Sequence, residues 1–162
     1  MWTLRFRGQE YAIKGSLKAD WEIDAIEGEA SADDTPPTLR FDVDNSEGQG
    51  PLGITVGPLT TTVGKPLAIP ITVRDDGKAE PAARAPTPVD LTWFMHQGPA
   101  EVVFEPKTAR LTPTGGKSSV NATFSQPGEY LLRVRANDSS VAGAGHAQCC
   151  WTNGFVRVTV QK

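Results

Sequence analysis

Apolar and polar residues alternate with a period of two along most of the chain. Leu67, Ile69, Ile71 and Val73 are separated by Ala68, Pro70, Thr72 and Arg74. The same alternation puts Leu91, Trp93 and Met95 on one face, then Val120, Ala122 and Phe124, then Tyr130, Leu132, Val134 and Ala136, and finally Val156, Val158 and Val160. A period of two marks strands with one buried face. Further strands are expected at 54–62, interrupted by Gly57-Pro58, at 102–105 and at 109–112. Turn formers divide the strands: Val63-Gly64-Lys65-Pro66, Asp75-Asp76-Gly77, Gly115-Gly116 and Pro127-Gly128. Pro70 cannot donate to a ladder, so its nitrogen is expected to face a gap or an edge. No segment sustains helical periodicity for three turns, and no internal repeat is present. The pattern predicts an all-β chain.

The first third is patterned more weakly. Trp2, Leu4 and Phe6, then Tyr11 and Ile13, flank Arg7-Gly8-Gln9 and predict a hairpin. Residues 21–26 suggest a short strand, 27–34 an acidic loop, and Leu39, Phe41 and Val43 another strand. Residues 44–53 concentrate Asp, Asn, Ser, Pro and Gly, the composition of a linker. The expected organisation is an N-terminal β segment at 1–44, part of a larger β domain, a linker at 45–53 and a β-sandwich at 54–162.

Composition agrees with short strands and long loops: of 162 residues, 38% are hydrophobic, 13 are Pro and 16 are Gly. A formal net charge of −3 argues against sequence-independent nucleic-acid binding, which needs a positive face. No run of about 20 apolar residues is present to span a membrane. The N-terminus has no signal-peptide core. Because the chain starts inside a strand pattern, it is expected to be a truncated piece. Its two cysteines, Cys149 and Cys150, are adjacent and cannot staple distant strands.

About seven strands with a Trp on the third describe an immunoglobulin-like sandwich. The run from Pro127 to Asp138, with Gly128, Tyr130, Leu132, Val134 and Ala136 in register, resembles the sixth strand of PKD-type and related bacterial immunoglobulin-like domains. Val63-Gly64-Lys65-Pro66-Leu67 through Asp75-Asp76-Gly77 resembles their second strand. The third strand, from Leu91 to Gly98, departs from the PKD pattern, and the antibody-type disulfide is absent. The resemblance implies that Tyr130 forms a tyrosine corner and that Trp93 is a core residue. The whole chain also resembles the C-terminal region of secreted bacterial proteins with no assigned activity. That resemblance implies an extracellular, periplasmic or cell-surface location and no particular chemistry.

Candidate chemistry is sparse. Asp75, Asp76, Asp90, Asn137 and Asp138 are expected at one end of the sandwich, where hard oxygen donors suit calcium. The alternative is that Asp, Asn and Gly only form turns there. His146, Cys149 and Cys150 offer three soft or borderline ligands, a start for zinc or copper, against a free thiol pair or a vicinal disulfide. Trp151 beside them is a candidate contact residue, and the loop from Asp138 to Asn153 the candidate functional end. There is no G-x-S-x-G or H-E-x-x-H motif. The chain is therefore expected to be a non-enzymatic binding or spacer module with a protein or polysaccharide partner. The alternatives are an accessory domain of a secreted enzyme and a small metal-binding protein.

Overall fold

A computed structural model describes residues 2–13, 35–78, 86–138 and 150–162. Among them the chain forms β1 (Trp2–Phe6), β2 (Gln9–Ile13), β3 (Thr38–Phe41), β4 (Glu47–Gln49), β5 (Ile54–Thr62) and β6 (Leu67–Arg74). It continues with β7 (Asp90–Gln97), β8 (Val102–Glu105), β9 (Thr108–Arg110), β10 (Gly115–Phe124), β11 (Gly128–Asn137) and β12 (Trp151–Gln161). β1 and β2 make the expected hairpin, with Trp2 opposite Ile13 and Phe6 opposite Gln9. Arg7 and Gly8 both have positive φ, 51° and 75°, as a two-residue turn matched to strand twist requires. The short strand and acidic loop expected at 21–34 lie outside the described residues.

Two five-stranded sheets form the sandwich. One has the order β4-β3-β6-β10-β8 and the other β5-β12-β11-β7-β9. β3, β6, β10 and β8 make up the four-stranded side of an immunoglobulin-like sandwich, and β7, β11 and β12 the three-stranded side. β5 adds to this second sheet in parallel with β12. Its register shifts where Gly57 and Pro58 together oppose the single residue Arg157, so the expected interruption is a bulge within one strand. After β7 the chain crosses to the first sheet as β8, returns to the second as β9, and crosses again into β10.

The alternation in the sequence becomes the core directly. Ile69, Ile71 and Val73 of β6 and Val120, Ala122 and Phe124 of β10 are buried on one sheet, and Leu132, Val134 and Ala136 of β11 and Val156, Val158 and Val160 of β12 on the other. Trp93 stacks on Phe104 with centroids 6.2 Å apart. Tyr130 packs edge-on against Phe124 at 4.7 Å, and its hydroxyl donates to the Gln126 carbonyl at 2.9 Å. This is the expected tyrosine corner, fixing the start of β11 to the turn before it. Pro70 fits its position. Its carbonyl accepts from the Asp42 N–H at 3.1 Å, just past the last β3 pairing at Phe41–Ile71, so its nitrogen faces the point where β3 turns away.

Four expectations change. Residues 45–53 are not a linker between two units. They carry β4, which pairs with β3, and β3 pairs with β6 in the first sheet. Leu39 and Phe41 are fully buried in the same core as Trp93 and Tyr130. The sandwich therefore begins by Thr38, not at residue 54. The polar, glycine-rich composition of 44–53 reflects a tight connection: Asn45 has φ 62°, and Gly50 and Gly53 also have positive φ. Val43, expected in the strand, sits in the turn after it and is 40% exposed. Gly115 and Gly116, expected as a turn, open β10. The loop expected to run to Asn153 ends earlier, because Trp151, Thr152 and Asn153 pair with Asn137, Ala136 and Arg135.

Gly154 shows how closely the early residues are built in. A Cβ there would lie 2.7 Å from the Phe41 ring and 2.9 Å from Val134. Phe41→Ala is expected to cost about 3–5 kcal/mol, as for Trp93→Ala, because both empty a packed core site. Tyr130→Phe is expected to cost about 1–2 kcal/mol, from a lost hydrogen bond and an unpaired acceptor. Denaturant midpoints check all three, and an unmoved midpoint for Phe41→Ala would return residues 38–53 to the role of a linker.

Candidate functional site

β6 and β11 belong to different sheets yet end at the same end of the sandwich, as the expected topology requires. Asp75 follows β6, Asp138 follows β11, and the Asp138 side chain lies close enough to act on the Asp75 carboxyl. Asp138 is buried, and its N–H donates to the Cys150 carbonyl at 3.2 Å. Asp75 donates its N–H to Thr114 O at 3.3 Å, and its carboxylate accepts from the Gly77 N–H at 3.0 Å. Burial holds the Asp75 carboxyl above the usual carboxylate range, and the charge of Asp76 pushes the same way. The Gly77 N–H and the Asp138 side chain oppose the shift without cancelling it.

The other expected calcium ligands are engaged elsewhere. Asp76 accepts from the Lys78 N–H at 2.8 Å and the Thr35 hydroxyl at 3.0 Å, and pairs with the Lys78 ammonium at 3.7 Å. Asp90 takes a bidentate Arg110 at 2.8 and 2.9 Å. Asn137 lies in the ladder between Asp90 and Trp151. Among the described residues no three His, Cys, Asp or Glu side chains are grouped to hold a metal. A calcium ion that used Asp90 among its six to eight oxygens would have to draw it off Arg110. Of the five residues, the structure brings Asp138 close to the Asp75 carboxyl and sets Asp76 beside them.

Cys150 is fully buried and disulfide-bonded. A disulfide sulfur is not a thiolate, so the zinc or copper reading of this cysteine is corrected. His146 and Cys149 lie outside the described residues. Trp151 is not a loop residue: it is the half-buried first residue of β12. Trp93 and Tyr130 are core residues, as expected.

The structure also builds a surface that was not anticipated. On the outer face of the second sheet Arg133 of β11 lies between Phe94 of β7 and Phe155 of β12. Its guanidinium carbon is 5.6 Å from the Phe94 centroid, and that of Arg135, two residues along, is 6.0 Å from the same ring. His96 meets Phe155 edge-on at 5.5 Å. Arg133 Nε donates to Asn153 Oδ1 at 3.0 Å, and Asn153 Nδ2 donates to the Pro51 carbonyl at 2.6 Å. Segment 50–53 thereby holds Arg133 in place through Asn153. Burial, and then the nearby charge of Arg135, lower the Arg133 pKa. Among the described residues neither arginine, nor the neighbouring Arg157, has a carboxylate partner. The sequence signal was present: two of the three outward positions between the buried residues of β11 are arginines, and Phe94 and Phe155 occupy the outward phase of their strands.

No sequence family matches the chain, and no curated protein matches it. Solved structures of similar shape include the N-terminal domain of PorA, at TM-score 0.48 and 10% identity over 77% of this chain and 97% of that one. Another is the PKD domain of a peptidase from a Thermoplasmatales archaeon, at 0.38 and 14% over 80% and 96%. A third is domains 4 and 5 of the S-layer protein SbsC, at 0.44 and 10%, where the chain covers 77% of itself and spans about half, 51%, of the other. The immunoglobulin-like assignment rests on strand order and the tyrosine corner.

Because the fold raises the Asp75 pKa, folding favours the protonated carboxyl. This contribution is present below the unfolded value of about 3.9, is lost as pH rises through the folded value, and is constant above it. Asp75→Asn keeps an acceptor for the Gly77 N–H, can donate to Asp138 and carries no charge. The variant is expected to melt above the parent at pH 7, the difference closing as pH falls below about 4. Thermal melts across that range check it; a constant difference would mean that Asp75 is not the titrating group.

Proposed function

We propose that this chain is a non-enzymatic binding module of an exported protein, and that it binds through the outer face of its second sheet. The observation that carries the reading is the pair Arg133 and Arg135 on Phe94: two guanidiniums held on an aromatic ring with no carboxylate partner among the described residues. Neighbouring cations repel, and partial burial strips them of water. A face that keeps both in place is suited to receive negative charge from outside. A spacer would gain nothing from this arrangement. Charge–aromatic surfaces with Arg and Phe are what the centres of recognition surfaces are enriched in.

The disulfide at Cys150 supports the exported location, since disulfides persist in oxidising compartments and are rare in the cytosol. The test has two arms. Alkylation and mass measurement on protein from the native cell are expected to find no free thiol in an envelope or extracellular fraction. Hydroxyl-radical footprinting with and without an envelope extract is expected to protect Phe94, His96 and Phe155. A cytosolic, thiol-bearing protein sinks the location, and protection confined to other surfaces sinks the binding face.

A further inference from the structure

We propose that the Arg133–Arg135–Phe94 face takes an extended acidic peptide segment whose carboxylates recur at every second residue. This rests on the binding-module reading above and names the partner's chemistry. Arg133 and Arg135 stand two apart on one face of β11, so their stems are separated by two strand rises, about 6.5–7 Å. An extended peptide laid along β11 repeats its own side chains at that interval. Carboxylates at positions i and i+2 then meet the two guanidiniums together, while the residue between them points to solvent. A planar guanidinium matches a carboxylate with two parallel N–H···O bonds, which fixes orientation as well as charge. Arg157 extends the positive row diagonally, since it stands opposite Leu131, one outward position before Arg133.

The geometry favours a peptide over a glycan. A sugar ring would stack on an open aromatic face, but Phe94 already has two guanidiniums near its ring, and Phe155 is met by the His96 edge. The hydrogen-bonding groups on offer are donors in a planar fork. Arg133 is braced before any ligand arrives, because Asn153 holds its Nε and is itself tied to Pro51 and, through its N–H, to Gly50 O at 3.2 Å. Less ordering is then lost on binding. Asn153 is in this sense a positioning residue.

The experiment uses the full chain and a blocked peptide of alternating aspartate and threonine, with the asparagine–threonine peptide and a polygalacturonate oligomer as comparisons. Titration calorimetry at low salt is expected to show binding of the aspartate peptide alone, weakening as salt rises. Arg133→Gln and Arg135→Gln are each expected to weaken it by about tenfold or more, the size of one lost charge-assisted contact. Arg135→Lys keeps the charge and loses the fork, so it is expected to fall between parent and Arg135→Gln. It also serves if Arg133→Gln disturbs the fold, which a melting curve reports. Equal binding of the asparagine peptide, or affinity unchanged in all three variants, overturns the proposal. Binding of the uronate oligomer in place of the peptide assigns the face to a glycan and overturns it too. If the aspartate peptide fails to bind while an envelope extract still protects Phe94 and Phe155, the peptide assignment falls and the binding face stands.

Discussion

The register of β11 is the constraint on which the rest depends. It lies between β12 and β7 in the second sheet, and every second side chain, from Tyr130 to Ala136, is buried in the core. A slip of one residue would turn Arg133 and Arg135 into the core and Leu132 and Val134 into water. Two unpaired buried guanidiniums would cost far more than the strand could recover. The tyrosine corner pins one end of this strand, and the Asp138 N–H bonded to Cys150 holds the other. The same register that builds the core therefore builds the arginine–phenylalanine face behind it. Fold and candidate site are two sides of one alternation.

The segment before β5 does more than lead into the sandwich. Leu39 and Phe41 fill core volume that the space over Gly154 leaves open, and β3 extends the first sheet beside β6. Thr152 links this segment to β12: its hydroxyl donates to the Pro37 carbonyl and accepts from the Gly50 N–H. Gly53 approaches so closely that a Cβ there would lie 1.6 Å from the Asn153 carbonyl oxygen. Asn153 in turn holds Arg133. A local, glycine-dependent packing arrangement at 50–53 thus reaches the outer face through two side chains.

The sequence made the fold legible where periodicity was strong. β6, β10, β11 and the later part of β12 follow from alternation alone, and the hairpin of β1 and β2 from its turn. Tyr130 and Trp93 followed from their place in that pattern. The boundary at residue 54 was misplaced because turn composition looks the same in a linker and in a tight connection between paired strands. What separates them is long-range: Leu39 opposite Val73, and Thr152 against Pro37, pairings no local window contains. Trp151 to Asn153 were hidden for a related reason, since Thr and Asn at inner and outer positions do not alternate in polarity. The acidic residues were legible as strand ends, but the ion pair of Asp90 with Arg110 depends on β9 lying beside β7. The arginines were visible as polar positions of a strand. What makes them a face is their alignment with Phe94 and Phe155 on neighbouring strands, a property of the sheet and not of any one segment.

The two ends of the sandwich are closed by different physics, and this bears on where recognition can occur. At one end an aromatic cluster, Tyr130 on Phe124, is sealed by a hydrogen bond from the Tyr130 hydroxyl to the Gln126 carbonyl. At the other, Asp75 from the first sheet meets Asp138 from the second, and burial and the charge of Asp76 work against ionising Asp75. Negative charge gathers at that end, together with Asp76. Positive charge that is not paired among the described residues gathers at mid-sheet, on Arg133, Arg135 and Arg157. Among the described residues these charges lie in separate places. On the proposal above, an acidic ligand is drawn to the positive residues at the middle of the second sheet. Within about a Debye length, 8–10 Å in ordinary salt, that separation is felt before contact. Loops at the end of a sandwich are the usual place to look for binding. On the proposal above, recognition falls instead to the face of a sheet whose register is locked by the core beneath it, and rigid strands hold a set of side chains more closely than loops do.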